Sequence, residues 1–413
     1  MQTVNPFEAR SADATSISLN KPEKLRLGCI DALRGLVMVF MCLDHSREFF
    51  GDLRLDPTDL ETTTPFFFIT RWITHYCAPT FVFLAGIGAW LYGQKSNNKS
   101  ELAKFLVTRG LWLIFLEFTV IYLGWFQNFG PPLMFIVIAA IGTSMIALAA
   151  LIYLPYPLLL SVGLAIVFLH NTLDPLTPEN FGVFAPVWIL LHEGGEIPPL
   201  FLGIGYPVLA WIGVICVGYC FGRVLQQDRP VRRKHCLQIG IACTVLFVVL
   251  RTVNGFGDPS LRIATDDWTV ATMSFLNCTK YPPSLCYLLM TIGPALLVLS
   301  LFDRESLAKQ STAQWYSILL AYGRVPLFFY VAHLYLIHTS ARLLYWVVRG
   351  EPLSPLYTSF MTYQTQADYP AIYGFPLWVV YTGWFCMLLI LWPLCIWFGR
   401  LKRNGKSAIW SYL

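Results

Sequence analysis

Ile30 to Phe50, IDALRGLVMVFMCLDHSREFF, decides the fold, because it sets an arginine, an aspartate and a histidine inside a run otherwise apolar enough to cross a bilayer. Ionisable groups at that depth are costly and mark function by default. Arg34 and His45 lie eleven residues apart. That is close to three turns at 3.6 residues per turn, so both project from one face, about 16 Å apart along the axis. Such a face suits a buried channel with a cationic site at one end and an acid/base group at the other.

Working outward, the 413 residues are 56% hydrophobic, 15% aromatic and only 13% charged, with a mean hydropathy of +0.57. This is the composition of a polytopic membrane protein. Runs long enough to span fall at about 28 to 50, 65 to 92, 104 to 124, 132 to 153, 156 to 172, 202 to 222, 236 to 253, 284 to 302, 325 to 348 and 376 to 399. The predicted fold is an all-α integral membrane bundle of about ten transmembrane helices. Leu154–Pro155 alone separates the fourth and fifth runs, as a tight hairpin or a break in one helix.

Lys and Arg are retained on the cytoplasmic side. They cluster in the amino-terminal arm (Arg10, Lys21, Lys24, Arg26), the second connection (Lys95, Lys99, Lys104), the sixth (Arg223, Arg229, Arg232, Arg233, Lys234) and the tail (Arg400, Lys402, Arg403, Lys406). The alternate connections carry Asp52, Asp56, Asp59, Glu61, Asp174, Glu179, Glu193, Glu196, Asp258, Asp266 and Asp267. Ten crossings with both termini cytoplasmic satisfy this alternation. Residues 1–24 read as a disordered cytoplasmic arm, 25–400 as one membrane domain and 401–413 as a cytoplasmic tail. The polar start lacks an apolar core, so the first helix reads as an uncleaved anchor. The net charge of +5 follows from topology, and no basic-aromatic patch suits nucleic acid.

Most of the eleven cysteines fall inside spans as small hydrophobes, in no metal-ligand spacing, and no metal is expected. Cys278 lies in an exoplasmic loop, where a disulfide to Cys286 is an open alternative. The connections at about 173 to 200, 254 to 282 and 349 to 375 are rich in Pro, Gly and aromatics, which suits a lid or acceptor platform and equally suits chain turning at the interface. Acidic exoplasmic loops argue mildly against a strongly anionic acceptor, and aromatics there suit sugar rings.

Each polar residue in the spans has a structural and a functional reading. Asp31 and Arg34, three apart, form an intrahelical ion pair or present a cation to the phosphates of an acyl carrier. In RWITHYCAPTFVFLAG (71–86), Arg71 and His75 share a face and enter the half of the membrane that Asp44 and His45 leave. Consecutive helices are commonly neighbours, so Asp44, His45, Arg71 and His75 form a candidate catalytic constellation. Asp44 and His45 are adjacent and do not share a face, so a direct partner orienting His45 is expected from another helix. GRVPLFFYVAHLYLIH (323–338) adds Arg324, His333 and His338. Glu117 is a further intramembrane acid, with Arg109 as a candidate partner, and Gly86, Gly88 and Gly93 suit close helix packing.

Together with YPVLAWIGVICVGYCFG (206–222) and YPPSL (281–285), these segments resemble the bacterial family related to the catalytic domain of heparan-α-glucosaminide N-acetyltransferase, from about Leu25 to Gly399. The Arg34 to His45 spacing also resembles the arginine, ten residues, histidine signature of membrane acyltransferases that modify sugars and envelope glycans. The resemblance implies transfer of an acetyl group from cytoplasmic acetyl-CoA, a co-substrate, to a glycan or small-molecule acceptor across the lipid bilayer of a bacterial inner membrane. The lysosomal relatives are thought to use a histidine in the first exoplasmic loop, and residues 51–64 contain none. The catalytic role therefore goes to His45, with His75 second and Asp44 and Arg71 beside them; Arg34, Asp31, Arg324 and His333 are assigned to the donor. A homo-oligomer is compatible with this architecture. A proton-coupled transporter using the same buried groups and a non-enzymatic scaffold are the alternatives.

Overall fold

The computed structural model describes residues 27–52, 55–128, 133–304, 314–350 and 374–405. The arm 1–24, most of the 349–375 connection and the end of the tail lie outside the described residues. In chain order the helices are α1 (Gly28–Phe50), α2 (Pro65–Thr74), α3 (Cys77–Ser96), α4 (Lys99–Leu116), α5 (Tyr122–Phe126), α6 (Val137–Leu151), α7 (Tyr156–Leu169), α8 (Ala185–Trp188), α9 (Leu209–Leu225) and α10 (Arg229–Val253). They continue with α11 (Trp268–Leu276), α12 (Leu285–Phe302), α13 (Gln314–Gly323), α14 (Pro326–Arg349) and α15 (Leu377–Asn404).

Each of the ten apolar runs contains a helix, and the chain is an all-α polytopic membrane bundle. Among the described residues, seven segments are long and apolar enough to span unaided: Pro65–Ser96, Lys99–Phe126, Tyr156–Leu173, Arg229–Val253, Leu285–Phe302, Pro326–Arg349 and Leu377–Asn404. The other three are α1, which carries Asp31, Arg34, Asp44, Arg47 and Glu48, and the shorter α6 and α9 of 15 and 17 residues. At 1.5 Å per residue the 23 residues of α1 cover about 35 Å. The fourth and fifth runs are two helices joined by a turn at 152–155. Helix α13 had no counterpart among the sequence-predicted spans, because ten residues are too few to read as one.

Backbone contact sets the helix spacing. A Cβ on Gly35 would lie 2.0 Å from the Leu319 carbonyl oxygen, and one on Gly323 would lie 1.8 Å from the carbonyl oxygen of Asp31, so α1 and α13 touch main chain to main chain. Gly86 meets Ile215 and Gly218 meets Phe83 in the same way between α3 and α9. Gly88, also expected to permit close packing, faces open space, and Gly93 meets the Leu102 side chain.

Two local irregularities place the site. Pro79 lacks an N–H, so the His75 carbonyl four residues earlier has no helical donor, and the Tyr287 hydroxyl donates to it at 2.8 Å. The segment accordingly divides into α2 and α3 around His75. A π turn at Glu117–Ile121 separates α4 from α5, and the Glu117 carboxylate accepts the Ile138 and Ala139 N–H groups at 2.9 Å each, capping α6. Three short strands, β1 (Leu133–Phe135), β2 (Gly195–Ile197) and β3 (Leu202–Ile204), make a sheet ordered β1-β3-β2, parallel between β1 and β3 and antiparallel between β2 and β3. It lies beside the carboxyl end of α1.

Candidate active site

His45 on α1 meets His333 on α14: Nδ1 of His45 is 2.6 Å from Nε2 of His333, and the rings are nearly parallel at 14°. The partner of His333 Nδ1 is the Phe329 carbonyl, at 2.9 Å. A carbonyl only accepts, so His333 Nδ1 carries a proton, and its Nε2 is the acceptor in the neutral ring. His45 Nδ1 must then donate. The lone pair of His45 is therefore on Nε2, the atom a general base or acyl carrier would use. Trp125 presents an edge to the His45 ring with centroids 4.7 Å apart, and Tyr330 closes the next side at 6.1 Å.

Asp44 ties α1 to α2. Its carboxylate accepts from Arg71 Nη1 at 2.7 and 3.0 Å, from the Thr74 hydroxyl at 2.9 Å and from Arg47 Nη2 at 3.2 Å. Arg47 also pairs with Glu48. His75 is buried at the end of α2, its ring edge-on to Tyr287 and its Nδ1 without a hydrogen-bond partner among the described residues.

The four residues of the expected constellation, Asp44, His45, Arg71 and His75, all line one cavity of about 720 Å³, within the range of small-molecule sites. The direct neighbour of His45 is His333, which sequence had grouped with the donor-side residues. The cavity wall includes Trp125, Tyr330, Tyr206, Lys280 and Tyr281, none of which sequence had placed at the site. Three of them sit in segments whose aromatic and proline content was visible, YPV (206–208) and KYPP (280–283), but nothing in the order of residues says that two distant connections meet.

A buried scaffold presents Lys280 and Tyr281. Arg251, at the end of α10, donates to the carbonyls of Ser260, Ser274, Phe275 and Asn277 at 2.7 to 3.1 Å. The Asp258 carboxylate accepts from Ser260 N, Thr279 N, the Thr279 hydroxyl and the Ser284 hydroxyl at 2.7 to 3.1 Å. Together they fix the 254–284 connection on both sides of Lys280. Lys280 Nζ lies 5.1 Å from the centre of the Tyr281 ring, and the Tyr281 hydroxyl donates to that of Tyr206 at 3.3 Å. Desolvation pushes the Tyr281 phenol up, but the Lys280 and Arg71 cations outweigh it and hold the phenol below its ordinary value. Cys278 and Cys286 are both free and buried.

At the opposite end of α1, Arg34 Nη1 donates to Asp31 Oδ1 at 3.1 Å and to the Gly323 carbonyl at 3.0 Å. Arg324, more exposed, brings its Nε to 4.0 Å from Asp31 Oδ2. A second cavity, of about 330 Å³, opens at the far end of α3, lined by Lys99, Arg223, Trp90, Tyr156 and Tyr219, with the Arg223 guanidinium 5.2 Å from the Tyr156 ring centre.

These features define an all-α membrane bundle with, at one end, a histidine pair of which His45 lines a large cavity, and two cationic clusters at the other. The chain belongs to the family described as heparan-alpha-glucosaminide N-acetyltransferase, catalytic, which matches residues 26–263, and it is a transferase of that type. The matched stretch carries Asp31, Arg34, Asp44, His45, Arg71 and His75; Lys280, Arg324 and His333 lie beyond it. No curated protein matches the sequence.

Proposed function

We propose that the protein moves an acetyl group from cytoplasmic acetyl-CoA to a sugar or other envelope acceptor on the exoplasmic side. The observation that carries this proposal is the His45–His333 pair, whose hydrogen bonds leave the free lone pair on Nε2 of His45, a residue of the cavity wall. An acceptor hydroxyl or amine gives its proton to Nε2 as its oxygen or nitrogen attacks the thioester carbonyl; the CoA thiolate then leaves and takes that proton back. In the covalent variant Nε2 attacks first and the thiolate departs; the acceptor then attacks the acetyl-imidazole, the C–N bond to Nε2 breaks, and the acceptor's proton ends on the CoA thiolate. In both, His333 holds the Nδ1 proton of His45 and shares the charge that develops on the ring.

The donor's phosphates belong at the end of α1 that follows the basic arm. There Arg324 is the more exposed member of the Asp31–Arg34–Arg324 cluster, and the Lys99–Arg223 cavity supplies cations and rings on the same face of the bundle. Acetyl-CoA turnover by purified protein in lipid nanodiscs, read as released CoA thiol over a panel of amino sugars and sugar hydroxyls, tests the proposal. His45→Ala is expected to lower turnover by about 10²- to 10⁴-fold, with acetyl-CoA binding by calorimetry retained. Full activity in that variant would remove His45 from the chemistry. Absence of both binding and turnover in the wild type would favour a proton-coupled transporter.

A further inference from the structure

We propose that Tyr281, hydrogen-bonded by Lys280, is a second catalytic residue: the base that takes the acceptor's proton as the acceptor attacks the acetyl group. The proposal rests on the acyltransferase reading, in its covalent variant.

That route needs a base besides His45. Nδ1 of His45 carries the proton it gives to His333, so Nε2 holds the only lone pair of the ring. Once the acetyl group is bonded to Nε2 that pair is spent, and another group of the cavity must receive the acceptor's proton. Three carboxylates of the wall are already engaged. Asp44 is filled by Arg71, Thr74 and Arg47, Glu48 pairs with Arg47, and Asp56 Oδ1 accepts the Thr58 N–H and hydroxyl at 2.8 and 2.7 Å. Glu193 is exposed to solvent.

Tyr281 lines the same cavity as His45 and is 45% exposed, so a ligand held there can reach it. The buried Lys280 ammonium donates to its oxygen, and the Tyr206 hydroxyl lies 3.3 Å from the same atom, the two rings edge to face at 5.1 Å. Lys280 and the Arg71 guanidinium of α2 are the cations that face the phenol, and Tyr206, Tyr287 and Tyr330 are its phenolic neighbours. Both cations and the Tyr206 hydroxyl stabilise the phenolate, which is the basic form. The position is also built. Asp258 and Arg251 collect eight hydrogen bonds between them along the 254–284 connection and hold the backbone on either side of Lys280 and Tyr281.

The steps balance. Nε2 of His45 bonds to the acetyl carbon, and the CoA thiolate leaves with the electron pair of the C–S bond. The acceptor oxygen or nitrogen then bonds to the acetyl carbon, its proton passes to the Tyr281 phenolate, and the C–N bond breaks with its pair returning to Nε2. The phenol finally gives that proton through water to the CoA thiolate, and the phenolate is restored beside Lys280.

The test follows release of CoA thiol before and during the steady state, from the full-length protein in nanodiscs, with D-glucosamine or water alone as the acceptor. Tyr281→Phe is expected to give a burst of about one CoA per protein and then a steady rate about 10²- to 10⁴-fold below wild type, because the first step survives and the second stalls. Lys280→Met should move the acidic limb of the steady-rate pH profile to higher pH, since a base works deprotonated and loss of the cation raises the phenol. Lys280→Arg should leave that limb in place. Tyr281→Phe at the wild-type steady rate, a loss without a burst, an unmoved limb in Lys280→Met, or a burst in His75→Gln in place of Tyr281→Phe would overturn the assignment. Wild-type turnover alongside any of these would leave the acyltransferase proposal standing, whereas a wild type that releases no CoA would remove both.

Discussion

His45 gains its meaning from a residue 288 positions away. The apolar context of Asp44, His45, Arg71 and His75 marks them as candidates from sequence, because charge in a span is rare enough to be informative. The pairing with His333 was hidden, since a histidine in a helix body reads equally well as a satisfied core residue. Asp44 shows the division of labour. Its carboxylate is filled by Arg71, Thr74 and Arg47, so it positions α2 against α1 and is not bonded to His45. Asp44→Ala, by leaving Arg71 buried without its counter-charge, is expected to cost about 3–5 kcal/mol. Asp44→Ala combined with Arg71→Ala should be less destabilised than Asp44→Ala alone. Resistance to denaturant in detergent measures both, and a double variant at least as unstable as Asp44→Ala would show that the pair is not the source of the loss.

At the level of elements, close approach and capping decide what sequence periodicity leaves open. Gly35→Val would drive a side chain into the Leu319 carbonyl, separate α1 from α13 and release the Arg34 bond to Gly323. Overpacking against main chain costs about 1–3 kcal/mol or more, so this variant should lose most of its monodisperse yield. Gly88→Val, on the same α3 that carries Gly86 but with nothing within 4 Å, should stay within about 0.5 kcal/mol of wild type. Size-exclusion profiles of the two compare them directly; matching profiles would contradict the packing described. The long helices were legible because a span needs about 20 apolar residues and leaves an unbroken run. The strands were not: LMF, GEI and LGI are three residues each, and LMF depends on a partner 69 positions away. Helix α13 was equally silent, and so was the 254–284 scaffold, whose order comes from one arginine and one aspartate bonding to a loop.

Over the whole molecule, the cavity and the cationic clusters occupy opposite ends of α1 and α3, so donor and acceptor are expected to act from opposite faces. In sealed vesicles of known orientation, turnover should require acetyl-CoA on the face of the basic connections and acceptor on the other. Equal rates with both substrates on either single face would contradict this. The distance along the chain between His45 and His333 also has a consequence for biogenesis. Helix α1 leaves the ribosome with five charged residues; Arg71 arrives with the next segment, whereas Gly323 and His333 arrive 289 and 288 positions after their partners Arg34 and His45. Helix α1 thus waits for most of the bundle to be made before its Arg34 and His45 side chains are completed. Fragments cut between α12 and α13, each incapable alone, would regain a site only by meeting in the same membrane.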